Sequence, residues 1–355
     1  MSEPRSIFMK EGWYCAGFSS EIVDEPLGRT FLDQPVVMYR AQDGEVVALS
    51  DICPHRFAPL HQGKLKDDVI SCPYHGLSFN REGRCVHNPH GSGKIPPRSK
   101  IQAFSVAERD GFVWIWMGDP ERADFDKVPN LNLIGDENDP RVTGYMLTPA
   151  DYRLIIDNLL DLNHAPYLHG GTLSPIGTTR ETWAERDDAS AASHYLMRSV
   201  PTSTSQRLWF DEPVGDYHVS MHWSVPGTLQ QTIAMTGEGR PKEEGALTLG
   251  AHLLTPQDAT STHYFWIMTR NRRVGDKTGD DALKAIIDNA FRTEDGPMLQ
   301  ACQANMNGRE FEALRPIFLE TDTAAGHARG VVRKILEQQS PSAKRPARKR
   351  AKAST

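Results

Sequence analysis

Apolar and polar positions change rhythm twice along this chain. From residue 1 to about 120 the apolar residues come in short runs of strand length: Val36-Val37-Met38-Tyr39, Val46-Val47-Ala48-Leu49, Val69-Ile70-Ser71 and Phe112-Val113-Trp114-Ile115-Trp116. Asp43-Gly44, Glu82-Gly83 and Asp110-Gly111 punctuate them, and such pairs favour the positive-φ positions of tight hairpins. The stretch from Asp119 to Pro140 is rich in Asp, Asn and Pro and reads as a linker. Residues 151–165 then shift to a helical pattern through Tyr152, Leu154, Ile155, Ile156, Leu159, Leu160 and Leu162, and the predicted helix ends near Pro166. Strand-like runs return between 190 and 270, as in 218–223 and 261–267. Residues 279–306 are again predicted helical, with an interruption at Gly296-Pro297. The pattern describes an α+β protein: an all-β domain over 1–120, a linker over 121–140, a mixed domain over 141–338 and a tail over 339–355.

Two loops of the β region carry the first candidate chemistry. Cys53-Pro54-His55 and Cys72-Pro73-Tyr74-His75 are separated by sixteen residues, giving C-x-H-x16-C-x-x-H. Two thiolates and two imidazoles, one of each per loop, suit a Rieske [2Fe–2S] centre, in which one iron takes both sulfurs and the other both histidines. A structural zinc site is the rival, but zinc modules pair their cysteines in one knuckle and their histidines in another. The remaining cysteines, Cys15, Cys85 and Cys302, form no disulfide framework, which fits a reducing cytoplasm. No run of eighteen apolar residues marks a membrane span, and Met1–Cys15 has no secretory pattern.

The second constellation lies on the helix around 157. Asp157, Asp161 and His164 are spaced to share one helix face, and Pro166 is expected to break the helix and let His169 swing back toward His164. Two histidines near a helix end make half of a metal site. With a carboxylate from elsewhere they form the facial triad of non-haem Fe(II) oxygenases. A cluster that supplies single electrons strengthens that reading, because oxygen activation at Fe(II) needs such a supply.

Both motifs together resemble the Rieske non-haem iron oxygenases, whose pattern of C-x-H, C-x2-H and D-x2-H-x4-H is matched here at Cys53, His55, Cys72, His75, Asp161, His164 and His169. Gly12-Trp13-Tyr14 and the 111–116 run are similar in texture, and the resemblance covers about 1–330. The loops lack the extra cysteine pair and anchor helix of the respiratory Rieske proteins. Within the family the chain looks most like the short oxygenase components typified by vanillate and dicamba O-demethylases.

The resemblance implies a catalytic domain in which helices wrap a curved antiparallel sheet, of helix-grip or START-like type. It also implies a third iron ligand late in the chain, for which Asp295 is chosen with Glu294 as the adjacent alternative. Asp161 would be no ligand but a bridge, linking His75 of one subunit to His164 of the next in a homotrimer. Asn158, Gln231 and His252 are the candidate substrate contacts, whereas His218, His222 and His263 read as ordinary surface or core side chains. The implied reaction is monooxygenation of an aromatic acid by O2. Removal of a methoxy methyl as formaldehyde is favoured over N-demethylation, methyl or ring hydroxylation, and over a pure electron-transfer role.

No nicotinamide or flavin fingerprint is present, since Gly91-Ser92-Gly93 lacks its third glycine and its strand–helix context. Electrons are therefore expected from a separate NAD(P)H-dependent reductase, directly or through a ferredoxin. The formal net charge is −6, and the last twelve residues hold six bases and no acid. The charge pattern of that tail admits a nucleic-acid reading, but its composition favours a disordered, solvated terminus, and neither nucleic acid nor membrane is expected as a partner.

Overall fold

The computed structural model describes residues 7–135, 139–170, 172–176 and 181–339. The basic tail expected to be disordered lies almost wholly outside these. The first region holds β1 (Trp13–Phe18), β2 (Leu27–Phe31), β3 (Gln34–Arg40), β4 (Val46–Ser50), β5 (Lys64–Lys66), β6 (Val69–Ser71), β7 (Ser78–Phe79), β8 (Cys85–His87), β9 (Val106–Arg109) and β10 (Phe112–Trp116). They form three small sheets, β1-β10-β9, β2-β3-β4 and β5-β6-β7-β8. Every predicted run is a strand here, and Gly44, Gly83 and Gly111 all take positive φ at the turns the pattern marked.

The second region opens with β11 (Val142–Thr148), α1 (Tyr152–Leu160) and α2 (Ala165–Leu168). It continues through β12 (Glu181–Arg186), β13 (Ser190–Pro201), β14 (Val214–Ser224), β15 (Thr228–Thr236), β16 (Ala246–Asp258) and β17 (Ser261–Arg270). Then come α3 (Lys277–Asn289), α4 (Gly296–Met306) and α5 (Thr323–Gln339). All seven strands join one antiparallel sheet in the order β11-β17-β16-β15-β14-β13-β12. Helices α1, α3 and α5 pack against it, giving the α+β architecture with a helix-gripped sheet.

The period-2 alternation of strands decides what faces where. Ala251, Leu253, Phe265 and Ile267 point to the outer face, where they pack with Trp13, Phe112, Trp114 and Trp116 of the first region. Their neighbours Gly250, His252, Trp266 and Met268 therefore point inward, toward the helices. The run 112–116 is fully buried because its two faces serve two cores, Phe112 and Trp114 on one side, Val113 and Ile115 on the other. Hydrogen bonds from Leu32 and Asp33 N–H to the Pro256 and Gln257 carbonyls, at 2.8 and 2.9 Å, fix the two regions together. No helix among the described residues is long and apolar enough to cross a membrane.

Two helical expectations are corrected. The helix expected to run to Pro166 stops at Leu160. Asp161 takes ψ 87° and its carboxylate accepts the Asn163 N–H at 2.9 Å, an Asx turn that competes with the next helical bond. Pro166 is the second residue of the short helix α2, in the first turn where a missing N–H costs nothing. The break expected at Gly296-Pro297 is instead a π-helical stretch over Ala290–Asp295, directly before that pair. The Gly296 N–H bonds to the Phe291 carbonyl, an i→i−5 link, and the extra residue per turn lets the chain continue past a proline that cannot donate.

Candidate metal centres and cavity

The loops that carry Cys53 and Cys72 are built alike. The Phe57 N–H bonds to the Cys53 carbonyl at 2.9 Å, and the Gly76 N–H bonds to the Cys72 carbonyl at 3.0 Å. The Cys53 and Cys72 N–H groups are in turn tied to Ala58 and Leu77. Phe57 and Gly76, at the same place in each loop, both take positive φ, 60° and 72°. Both thiols are buried in a core with Leu60, Ile70 and Phe79, while the rings of His55 and His75 sit 4.5 Å apart at the surface. Burial pushes the Cys53 thiol pKa up, so a thiolate there needs a cation beside it. The donor set fits a Rieske cluster with its histidine iron outermost, where an electron partner can approach.

In the second region His164, His169 and Asp295 offer ligand atoms that lie within 4.8 Å of one another. The two Nε2 atoms are 3.2 Å apart, and each is 3.5 Å from an oxygen of Asp295. Three donors about 2 Å from a first-row ion stand about 3 Å apart on one face of an octahedron, so the triangle fits. Each imidazole is held by its other nitrogen: His164 Nδ1 donates to the Asp161 carbonyl, and His169 Nδ1 donates to Glu294 at 2.7 Å. Asp295 is 5% exposed and also accepts the Asn158 amide at 3.1 Å.

The structure separates residues that sequence spacing grouped. Asp157 faces away from the triad and pairs with Arg329 of α5; burial raises its pKa to about 6 despite that partner. The Asp161 carbonyl, not its carboxylate, holds His164 within this chain. Glu294, the alternative ligand, points at His169 Nδ1 rather than into the triangle.

The triad opens on a cavity of about 100 Å³ walled by Leu159, Leu162, Leu173, Val219, Met221 and Ile233 among others. Asn158, Gln231 and His252 all line it, but the Asn158 amide nitrogen is committed to Asp295. His252 is 1% exposed, its Nδ1 lies 2.7 Å from the Tyr264 hydroxyl, and burial lowers its pKa to about 4. The buried Tyr264 hydroxyl has no other acceptor among the described residues, so it donates to Nδ1, and the proton of the neutral ring sits on Nε2. That Nε2–H has no protein partner among the described residues. Tyr264, Thr248, Tyr195 and Trp209 went unnoticed in the sequence. Thr248 and Tyr264 share the inward parity of His252 on their strands, a signal that could have found those two.

Comparison with known proteins agrees with this geometry. Residues 12–104 match the Rieske [2Fe-2S] domain, and residues 148–338 match the vanillate O-demethylase oxygenase C-terminal domain. The chain is 37% identical to the dicamba O-demethylase oxygenase component of Stenotrophomonas maltophilia, over 90% of this chain and 95% of that one. It is also 37% identical to the chloroacetanilide N-alkylformylase oxygenase component of Rhizorhabdus wittichii, over 96% and 98%. The crystal structure of dicamba monooxygenase bound to 3,6-dichlorosalicylic acid superposes with a TM-score of 0.87 at 35% identity, covering 95% of this chain and 99% of that one. A matched cluster domain, a matched catalytic domain and near-complete coverage by these relatives make one conclusion: the chain belongs to the Rieske non-haem iron oxygenases, carries a [2Fe–2S] cluster and a mononuclear iron, and is an oxidoreductase of the monooxygenase type.

Proposed function

We propose that this oxygenase removes a methyl group from a methoxylated aromatic acid, releasing formaldehyde. The observation that carries the reading is the neutral His252 Nε2–H, without a partner among the described residues, in an apolar cavity that the His164, His169, Asp295 triad also lines. A ring fills the apolar walls, and its acid oxygen accepts from His252, with Gln231 beside it on the same face of the sheet. The substituent next to the acid is thereby turned toward the triad. Cys53, His55, Cys72 and His75 hold the cluster. His164, His169 and Asp295 hold the iron, which when bound supplies oxygen activation. The methyl C–H becomes C–OH, O2 and two electrons with two protons yield one water, and the hemiacetal collapses to phenol and formaldehyde.

Electrons come from a separate NAD(P)H-dependent reductase, directly or through a ferredoxin. The exposed His55 and the half-buried His75 suit electron exit toward a neighbour, and in a homotrimer Asp161 would bridge His75 of one subunit to His164 of the next. The chain would work in the cytoplasm, with residues 1–120 and 141–338 as its two working domains. The test supplies the holoenzyme with a reductase and NADH and measures formaldehyde from methoxybenzoates. Formaldehyde matched to NADH and O2 consumption is expected; a hydroxylated ring with the methoxy group retained refutes O-demethylation. No lysine or arginine among the described residues lines the cavity. A neutral N-alkyl amide is therefore the second reading, and aldehyde release from anilides but not from acids would select it.

A further inference from the structure

Charge is spread unevenly over this chain. Residues 53–100, which hold both cluster loops, carry eight bases and three acids, a formal +5, and this leaves −11 for the rest of a chain whose total is −6. Arg81 is neutralised by Asp43 and Glu45, at 2.6 and 2.7 Å, and Arg84 by Glu82 at 3.2 Å. Arg56, Lys64, Lys66, Lys94, Arg98 and Lys100 are exposed, and none has an acidic partner among the described residues.

The sheet places this charge around the second cluster loop. In β5-β6-β7-β8 the register aligns Lys64, Ser71, Ser78 and His87 in one row. The loop from Cys72 to Leu77 rises between Ser71 and Ser78, so Lys64 flanks it on one side and His87 on the other. From His87 the chain runs on as a largely exposed arm, residues 88–100, with three bases and no acid. The arm leans on the loop. The His90 Nε2–H donates to the His75 carbonyl at 2.7 Å. Pro89 sits so near Gly76 that a Cβ there would lie 3.0 Å from its ring. Bonds within the arm shape it: the Gly93 N–H donates to the His90 carbonyl at 2.9 Å, and the Asn88 amide to the Lys94 carbonyl at 2.8 Å. Ile95, between these bases in the chain, is 39% exposed and adds an apolar contact.

We infer that this arm is the docking surface for an acidic one-electron carrier protein of ferredoxin type, and that His90 is where its electron enters. This rests on the separate electron donor proposed above and names the surface that receives it. Charge complementarity selects the partner: six unpaired cations repel a basic carrier and steer an acidic one. His75 has two sides. Its ring is the proposed exit toward the neighbouring subunit, whereas its carbonyl meets His90 and, through that exposed ring, solvent. Entry and exit thus lie on different sides of one residue, and a docked carrier leaves the subunit contact in place. The carrier loses one electron and the cluster held by Cys53, His55, Cys72 and His75 gains it. No bond forms or breaks, and the step occurs twice for each O2.

Calorimetric binding of an oxidised plant-type ferredoxin, an acidic carrier whose potential is low enough to reduce a Rieske centre, tests the surface on the holoenzyme. Between about 10 and about 100 mM salt the Debye length shortens from about 30 to about 10 Å, and Kd should rise about tenfold or more. Lys94→Glu, Arg98→Glu and Lys100→Glu together should weaken low-salt binding about tenfold and remove the salt dependence. The same charge change at the exposed Lys242, Lys277 and Lys334 of the second region should not. Stopped-flow reduction by the reduced ferredoxin tests the route. His90→Ala should lower the limiting first-order rate about tenfold at unchanged Kd, and His90→Gln, whose amide reaches the same carbonyl, should restore most of it. The cluster potential and the rate of photoreduction by neutral deazariboflavin should stay as in wild type. No binding, salt-independent binding, or equal weakening by both triple variants overturns the docking surface. An unchanged rate in His90→Ala, or a shifted potential, overturns the route. Formaldehyde from the photoreduced enzyme needs no carrier, so O-demethylation stands or falls apart from this surface; reduction by NADH alone removes the carrier and the surface together.

Discussion

Glu294 accepts the Nδ1 proton of His169 at 2.7 Å, and this bond turns His169 Nε2 toward Asp295, the residue next to Glu294 in the chain. Adjacent carboxylates thus serve one imidazole from opposite sides, one through each nitrogen. The π-helical turn makes this feasible, because it rotates residues 294 and 295 to different aspects of the same histidine. Glu294→Ala removes the orienting bond and leaves the triad intact. Mononuclear iron affinity is expected to fall about 10- to 100-fold, the usual cost of losing such a partner, with the cluster unaffected. Iron titration read beside the cluster absorption checks this, and unchanged affinity would show that packing alone orients His169.

Asp161 serves His164 through its main-chain carbonyl, which an asparagine side chain leaves in place. Asp161→Asn should therefore keep both metal centres loaded. Its carboxylate has a neighbour's His75 as the proposed partner, so turnover should drop by at least about 100-fold. Iron and sulfide content together with steady-state NADH-coupled turnover decide the matter. Full metal content with wild-type turnover refutes the bridge.

The clearest sequence signals were those whose ligands lie close along the chain. The cluster loops each bring a cysteine and a histidine within four residues, and His164 and His169 are five apart. Asp295 lies 126 residues beyond His169, and helical periodicity could not choose between it and Glu294, because the π turn adds a residue that an α pattern does not count. Asp157 shared the apparent face of Asp161 only while the helix was assumed to continue. Its true partner, Arg329, sits 172 positions away on α5, in a stretch for which the pattern predicts no element. Of the cavity, the sequence marked His252 and Gln231 only as polar residues on strands, because the Tyr264 hydroxyl that leaves Nε2 free to donate comes from another strand.

The π turn carries its own prediction. A Cβ on Gly296 would lie 2.9 Å from the Phe291 carbonyl oxygen, closer than such atoms approach, and that carbonyl is the one the Gly296 N–H bonds. Gly296→Ala must shift this turn by a few tenths of an ångström, moving Asp295 with it. Weakened iron binding, with a stability loss of about 1–3 kcal/mol, is expected. Iron content and the urea midpoint of the variant check it; normal values for both would mean that the turn tolerates the methyl without moving the ligand.

His263 joins the two regions: its Nε2–H donates to the Thr30 carbonyl of β2 at 3.0 Å, and its Nδ1 accepts the Tyr145 hydroxyl at 2.9 Å. With one nitrogen donating and the other accepting, the ring must be neutral, and burial lowers its pKa from 6.5 to about 4. A base whose folded pKa is depressed binds fewer protons when folded than when unfolded. Its contribution is thus fully present above about pH 6.5 and is lost as pH falls toward 4. The loss over that window is about 3 kcal/mol. Protonation also takes the acceptor from Tyr145, so the seam between the cluster region and the catalytic sheet should loosen first. The urea midpoint of wild type should drop steeply from pH 6.5 to 4.5, and that of His263→Gln, which cannot titrate, should drop less. His252 is shifted in the same direction and remains in both proteins, so it cancels in the difference. Parallel curves for the two would show that the acid sensitivity lies elsewhere than at this seam.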